Sequence, residues 1–158
     1  MINLKSLSKT IPHNFPLVLK LWLLLFLVVG FLDSSVLLSE HQSGIQIPCT
    51  ITNGCGEVLS SKYASFYGIP LAQIGVYYYL FIGVLLGFFV NYKSRAILMA
   101  LFVSTFFGFL ASLWFTYLQV SVIKTLCQYC LLSAISSTFI FVIISYLVIK
   151  YTKLSGKS

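Results

Sequence analysis

The chain has 158 residues, of which 59% are hydrophobic and only 8% charged, with a formal net charge of +7. Soluble domains carry roughly 25% charged residues, so this chain has too little polar surface to cover a water-facing globule. Its length gives room for one domain, residues 1–158.

In chain order, the leader interleaves Lys5 and Lys9 with Ile2, Leu4, Leu7 and Ile11. That pattern suits a short helix on an anionic membrane face or a disordered tail. A hydrocarbon core takes about 20 apolar residues to cross, and the first stretch of that length runs from Leu17 to Leu38, with Lys20 near its start and Asp33 toward its end. A basic leader before an apolar run also suggests a signal peptide. The run is long, however, and no A-x-A-like cleavage site follows Phe31, so it reads as a retained anchor. Asp33 has two readings, a functional intramembrane acid or a carboxylate solvated at the interface.

A loop follows, with Cys49 and Cys55 flanking the turn dipeptide Asn53-Gly54. The stretch Glu57 to Phe66 has neither Gly nor Pro, which predicts a short helix, with Val58 and Leu59 dipping toward the membrane. Such a helix would cap any cavity between the helix ends. Gly68 and Pro70 mark the start of a second span, Ile69 to Val90. The third and fourth spans are Ala96 to Val122 and Leu126 to Ile149; none of these last three contains Asp, Glu, Lys, Arg or His. The fold class expected is all-α, a four-transmembrane-helix bundle with a short capping helix in its first extracytoplasmic loop.

Charge placement gives a topology rather than a nucleic-acid surface. Eight of the ten basic residues (Lys5, Lys9, Lys20, Lys93, Arg95, Lys150, Lys153, Lys157) fall on one side, and only Lys62 and Lys124 on the other. The positive-inside rule then puts both termini in the cytoplasm, and all the cysteines on the outer face. Thiols there meet an oxidising compartment, where disulfides persist.

Cys127 and Cys130 lie about one helical turn apart, in the first turn of the fourth span. Unpaired backbone N–H groups and the positive end of the helix dipole favour a thiolate there, and the thiolate is the species that attacks disulfides. A disulfide across this pair closes a tiny ring and restrains almost no chain, so bracing the fold is a poor account of it. Two other readings stand beside redox exchange: a pair of inert disulfides, and an all-cysteine zinc site, although the C-x5-C half falls outside common zinc spacing. His13 and His41 read as solvated loop residues, with Glu40 in the same exposed loop. The aromatics, among them Tyr77, Tyr78, Tyr79, Phe106, Phe107 and Trp114, read as packing or interfacial belt.

The two loop cysteines, the segment GEVLSSKYASFYGIPLAQIG and a CxxC opening the last span resemble the vitamin K epoxide reductase family in its bacterial form, over roughly residues 17 to 150. The resemblance implies a DsbB-like activity in the bacterial inner (cytoplasmic) membrane. The enzyme would reoxidise a separate DsbA-like thioredoxin-fold protein and pass the electrons to a membrane quinone, ubiquinone or menaquinone. In DsbB itself the CxxC lies in the first outer loop, whereas here it belongs to the fourth span. No fused thioredoxin-like domain is expected, since the chain ends eight residues past Lys150. Animal members carry a tyrosine four positions after the second CxxC cysteine; Ala134 stands there, which leaves quinone rather than epoxide chemistry as the expectation.

The resemblance further implies a relay. Cys49 exchanges with the partner's thiols, Cys55 passes the reducing equivalents to Cys127 through a transient disulfide, and Cys130 faces the quinone. Ser61 and Leu59 of the capping helix, with Cys130, would contact the quinone. An ordinary exposed serine is the plainer reading of Ser61.

Overall fold

The computed structural model describes residues 16–43, 55–61, 63–66 and 68–155. Helix α1 spans Leu17–Ser43 and the short helix α2 spans Cys55–Ser60. A two-residue hairpin follows, β1 (Ser65–Phe66) and β2 (Ile69–Pro70), with Ser65 paired to Pro70 and Phe66 to Ile69. Helix α3 is Leu71–Tyr92. Helix α4, Arg95–Tyr117, runs on into a π-helical turn, Leu118–Ile123, and α5 is Gln128–Ser155. Among the described residues, four helices are long and apolar enough to cross a membrane. This is the four-helix bundle that the apolar runs imply.

The bundle is cyclic: α1 packs on α3, α3 on α4, α4 on α5, and α5 back on α1. Its core runs along the axis through Leu23, Ile82, Leu98, Leu101, Ile140, Ile144 and Leu147. The outward faces are apolar as well; Leu21, Phe81, Val84, Trp114, Val142 and Ile149 are all exposed. Hydrocarbon around the bundle accepts that surface, and every backbone group of a spanning helix is satisfied within the helix itself. Between α3 and α4 the chain reverses at Lys93, which takes φ 48°, and Ser94 caps the new helix in an extended conformation.

Local structure departs from the sequence reading in two places. The capping helix stops at Ser60 and does not continue to Phe66. The Oγ atoms of Ser60 and Ser61 donate back to the carbonyls of Gly56 and Val58 at 2.7 Å. Serines bonded this way compete with helix propagation, and the hairpin takes over the next segment, with Gly68 at φ 83°. Second, α1 continues past Leu38 to Ser43, because no Gly or Pro interrupts the chain between Leu38 and Gly44. The extension carries Glu40, read from sequence as an exposed loop residue, into the bundle at 6% exposure. His41 beside it is exposed, in the last helical turn rather than a loop. His13 and Cys49 lie outside the described residues.

Two glycines let aromatic rings into the interior. A Cβ on Gly30 would collide with the phenol end of the Tyr79 ring, and one on Gly108 with the Tyr78 hydroxyl and the ring carbon that bears it. Small residues at such crossings let membrane helices approach closely. The Tyr79 ring cannot swing away freely, because it is buried and its hydroxyl donates to the Ser133 carbonyl at 2.9 Å. Gly30→Ala is therefore expected to lower the thermal unfolding midpoint in detergent, at an overpacking cost of about 1–3 kcal/mol. Gly87→Ala, with open space around its position, is the matched control. An equal effect of the two substitutions would show that the Tyr79 contact is not what matters.

Candidate active site

The site is built where α4 ends and α5 begins. The π-helical turn points Gln119 inward, and it is 3% exposed. The chain then reverses around this residue. The N–H groups of Lys124, in the left-handed conformation at φ 59°, and of Thr125 both donate to the Gln119 carbonyl, the latter at 3.1 Å. The side-chain Oε1 accepts the Cys127 N–H at 2.9 Å. One buried amide thus holds both the turn and the first cysteine of the CxxC. Single π-turns recur at functional sites. From the other side, Thr125 Oγ1 donates to Glu57 Oε2 at 2.7 Å, fastening α2 over the reversal.

Cys127 precedes the first residue of α5 and is its N-cap rather than a member of its first turn. Its carbonyl accepts the Leu131 N–H at 3.0 Å, and its Sγ accepts the Cys130 N–H at 3.4 Å. The sulfur therefore does what a capping Ser or Asp oxygen does, satisfying one of the helix's orphan donors. The thiolate gains from this position. Hydrogen bonding from the Cys130 thiol, with further bonds from the backbone N–H groups of Cys130 and Tyr129, outweighs burial and lowers the Cys127 thiol from the ordinary thiol range to about 7.

Both members of the CxxC are free thiols, whereas Cys55 is disulfide-bonded. Oxidised in this way, Cys55 is not available as one of four zinc thiolates. Among the described residues no group of three His, Cys, Asp or Glu is arranged to hold a metal. Cys55, Cys127, Val58 and Leu37 form one buried cluster, with Cys130 and Leu59 packed against it. Cys127 itself is 0% exposed.

On its other side Cys130 lines a cavity of about 370 Å³ between the helices. Leu59 and Ser61, picked out by resemblance, line the same cavity. The Ser61 hydroxyl donates its proton to the end of α2 at 2.7 Å, so toward the cavity it offers lone pairs. The walls are largely apolar, with Leu71, Phe107 and Phe115 among them. Two buried hydroxyls belong to this wall, Tyr78 Oη and Ser137 Oγ, and they lie within interaction distance of each other.

Sequence reasoning missed Gln119, Glu57 and Thr125 as the groups that position the CxxC, and Tyr78 and Ser137 as the buried hydroxyls of the cavity wall. A signal for Gln119 was present: it is the one amide in the third span, and polar groups in a span call for a partner. For Tyr78 no signal separated it from its neighbours Tyr77 and Tyr79.

A reactive dithiol capping a membrane helix, buried against a third cysteine and opening onto an apolar cavity, defines a membrane thiol–disulfide oxidoreductase. The vitamin K epoxide reductase family matches residues 21–145. The chain belongs to that family. No curated protein sequence matches it.

The hydrogen bond from Cys130 makes the Cys127 thiolate testable. With Cys49 and Cys55 replaced by serine and the CxxC reduced, absorbance at 240 nm is expected to show a thiolate forming with a midpoint near pH 7. Cys130→Ala is expected to move that midpoint up toward the ordinary free-thiol value of about 8.5. An unmoved midpoint would refute the assigned cause.

Proposed function

We propose that this protein is a quinone-dependent thiol oxidase that reoxidises a DsbA-like thioredoxin-fold protein and thereby supports disulfide bond formation. The observation that carries the reading is the serial placement of sulfur. Cys127 is packed with Cys55 on one side, while Cys130 forms part of the cavity wall on the other. Reducing equivalents entering at the loop cysteines thus have a path through Cys127 to Cys130. Cys49 is the residue that meets the partner. Thiol exchange runs from the partner to Cys49, then from Cys55 to Cys127, and the Cys127–Cys130 disulfide closes as the electron pair leaves.

The cavity suits a quinone ring in size and chemistry. Small-molecule pockets of roughly 300–1,000 Å³ with apolar walls and a few placed polar groups are the common form. The Tyr78 and Ser137 hydroxyls, buried next to each other in this wall, would turn from one another to donate to ring carbonyl oxygens. Leu59 and Ser61 close the cavity from α2, and Cys130 presents its sulfur to the ring. A bound quinone, ubiquinone or menaquinone, supplies a two-electron, two-proton acceptor. The basic residues flanking the spans favour cytoplasmic termini, which sets the cysteine end outward in the bacterial inner membrane, where the partner protein resides.

Purified protein mixed with a reduced thioredoxin-fold substrate and a short-chain quinone is expected to consume substrate thiols only when quinone is present. Thiol loss independent of quinone would overturn the proposal. Cys49→Ala is expected to block oxidation of the substrate while leaving the Cys127–Cys130 disulfide able to form. Cys130→Ala is expected to accumulate a Cys55–Cys127 link on peptide mapping, and recovery of Cys49–Cys55 alone would refute the order.

A further inference from the structure

Behind the dithiol, on α1, stands a carboxylic acid that the sulfur relay does not use. Asp33 is 5% exposed, and both of its carboxyl oxygens are buried without a hydrogen-bond partner. That rules out the interfacial, solvated reading. Its position follows from helix periodicity: Leu37, one turn along α1, packs in the cluster with Cys127, and Ser34, the next residue, lines the cavity with Cys130. Asp33 lies within electrostatic reach of Cys127, of Cys130 on α5 and of Tyr79 on α3. Glu40, nearly two turns further along α1, is the other buried acid that Cys127 feels.

An unpaired acid in an apolar interior is costly, and within a membrane span such a group is a functional candidate by default. The chemistry next to it has a use for one. Closing a dithiol to a disulfide releases two electrons and two protons, and a thiolate on Cys127 has already given up one of those protons.

We propose that Asp33 stores the proton Cys127 gives up on becoming a thiolate, and releases it when the Cys127–Cys130 disulfide closes. The balance is complete. Before oxidation the site holds a Cys127 thiolate, a Cys130 thiol and a protonated Asp33. Forming the S–S bond sends an electron pair to the acceptor, together with one proton from Cys130 and one from Asp33, and leaves Asp33 as a carboxylate. Re-reduction returns two electrons and two protons. Two like charges side by side in a dry interior are unfavourable. The thiolate therefore keeps the proton on Asp33, and its disappearance into the disulfide lets the proton go. With a quinone as acceptor this step deepens the function proposed above and rests on it, but the proton movement itself can be followed with any two-electron oxidant.

Infrared difference spectroscopy of the full-length protein, reduced and then oxidised with diamide, tests this. Diamide takes up two electrons and two protons, so it stands in for the acceptor. The wild type is expected to lose a protonated-carboxyl band on oxidation and gain a carboxylate one. The band is expected to be absent in Asp33→Asn, shifted but present in Asp33→Glu, and retained in Glu40→Gln. A wild type without the band, or an Asp33→Asn variant that keeps it, would overturn the assignment. With short-chain quinone, Asp33→Asn is expected to lose about 100-fold in rate, the low end for positioned acid–base groups. A wild type that shows the carboxyl band with diamide but reduces no quinone would overturn the quinone reading and leave the proton store standing.

Discussion

The structure depends on how the first turn of α5 is held. A helix start leaves backbone N–H groups unpaired, and burying them in a membrane bundle is tolerated only if something accepts them. Here the acceptors are Gln119 Oε1 for the Cys127 N–H and Cys127 Sγ for the Cys130 N–H. Satisfying the backbone and preparing the thiolate are therefore one arrangement. The same donors that would be a liability to the fold draw negative charge onto the sulfur.

The rest of the cysteine end follows from that anchor. The π-helical turn exists to bring Gln119 inward and leave the chain short enough to reverse over Lys124 and Thr125. Glu57 reaches Thr125 from α2 and seats Val58 and Cys55 against Cys127. On the membrane side, glycines at Gly30 and Gly108 admit the Tyr79 and Tyr78 rings, and these form part of the cavity wall below Cys130. Each sulfur thus has a different neighbourhood: loop and short helix for Cys55, helix cap for Cys127, cavity for Cys130. Direction in the relay comes from these differences, since the residues themselves are chemically identical.

Much of the bundle was legible in the chain alone. Apolar runs of spanning length have few structural solutions, because a backbone in hydrocarbon must bond to itself. Helix ends were harder. Leu38 looked like the end of the first span because Ser39, Glu40 and His41 are polar, yet Glu40 faces the interior and continues the helix. The capping helix looked longer than it is, because the absence of Gly and Pro up to Phe66 says nothing about serines that bond back to their own carbonyls. In both cases hydropathy reports what a residue prefers on average, while the packing around it decides what that residue does.

By itself the sequence determined that the protein sits in a membrane, that it crosses four times, and that one of its cysteine pairs opens a helix. Those properties are written in local composition and spacing, and they need no knowledge of neighbours. Only the tertiary structure decided that Gln119 holds the dithiol, that Cys55 and Cys127 share one cluster, that Cys130 borders a cavity with Leu59 and Ser61, and that Asp33 is buried behind the pair. The groups in each of these contacts come from different helices, most of them far apart in the chain. Their meeting depends on the rotation and depth at which each helix packs, and no single stretch of residues encodes that.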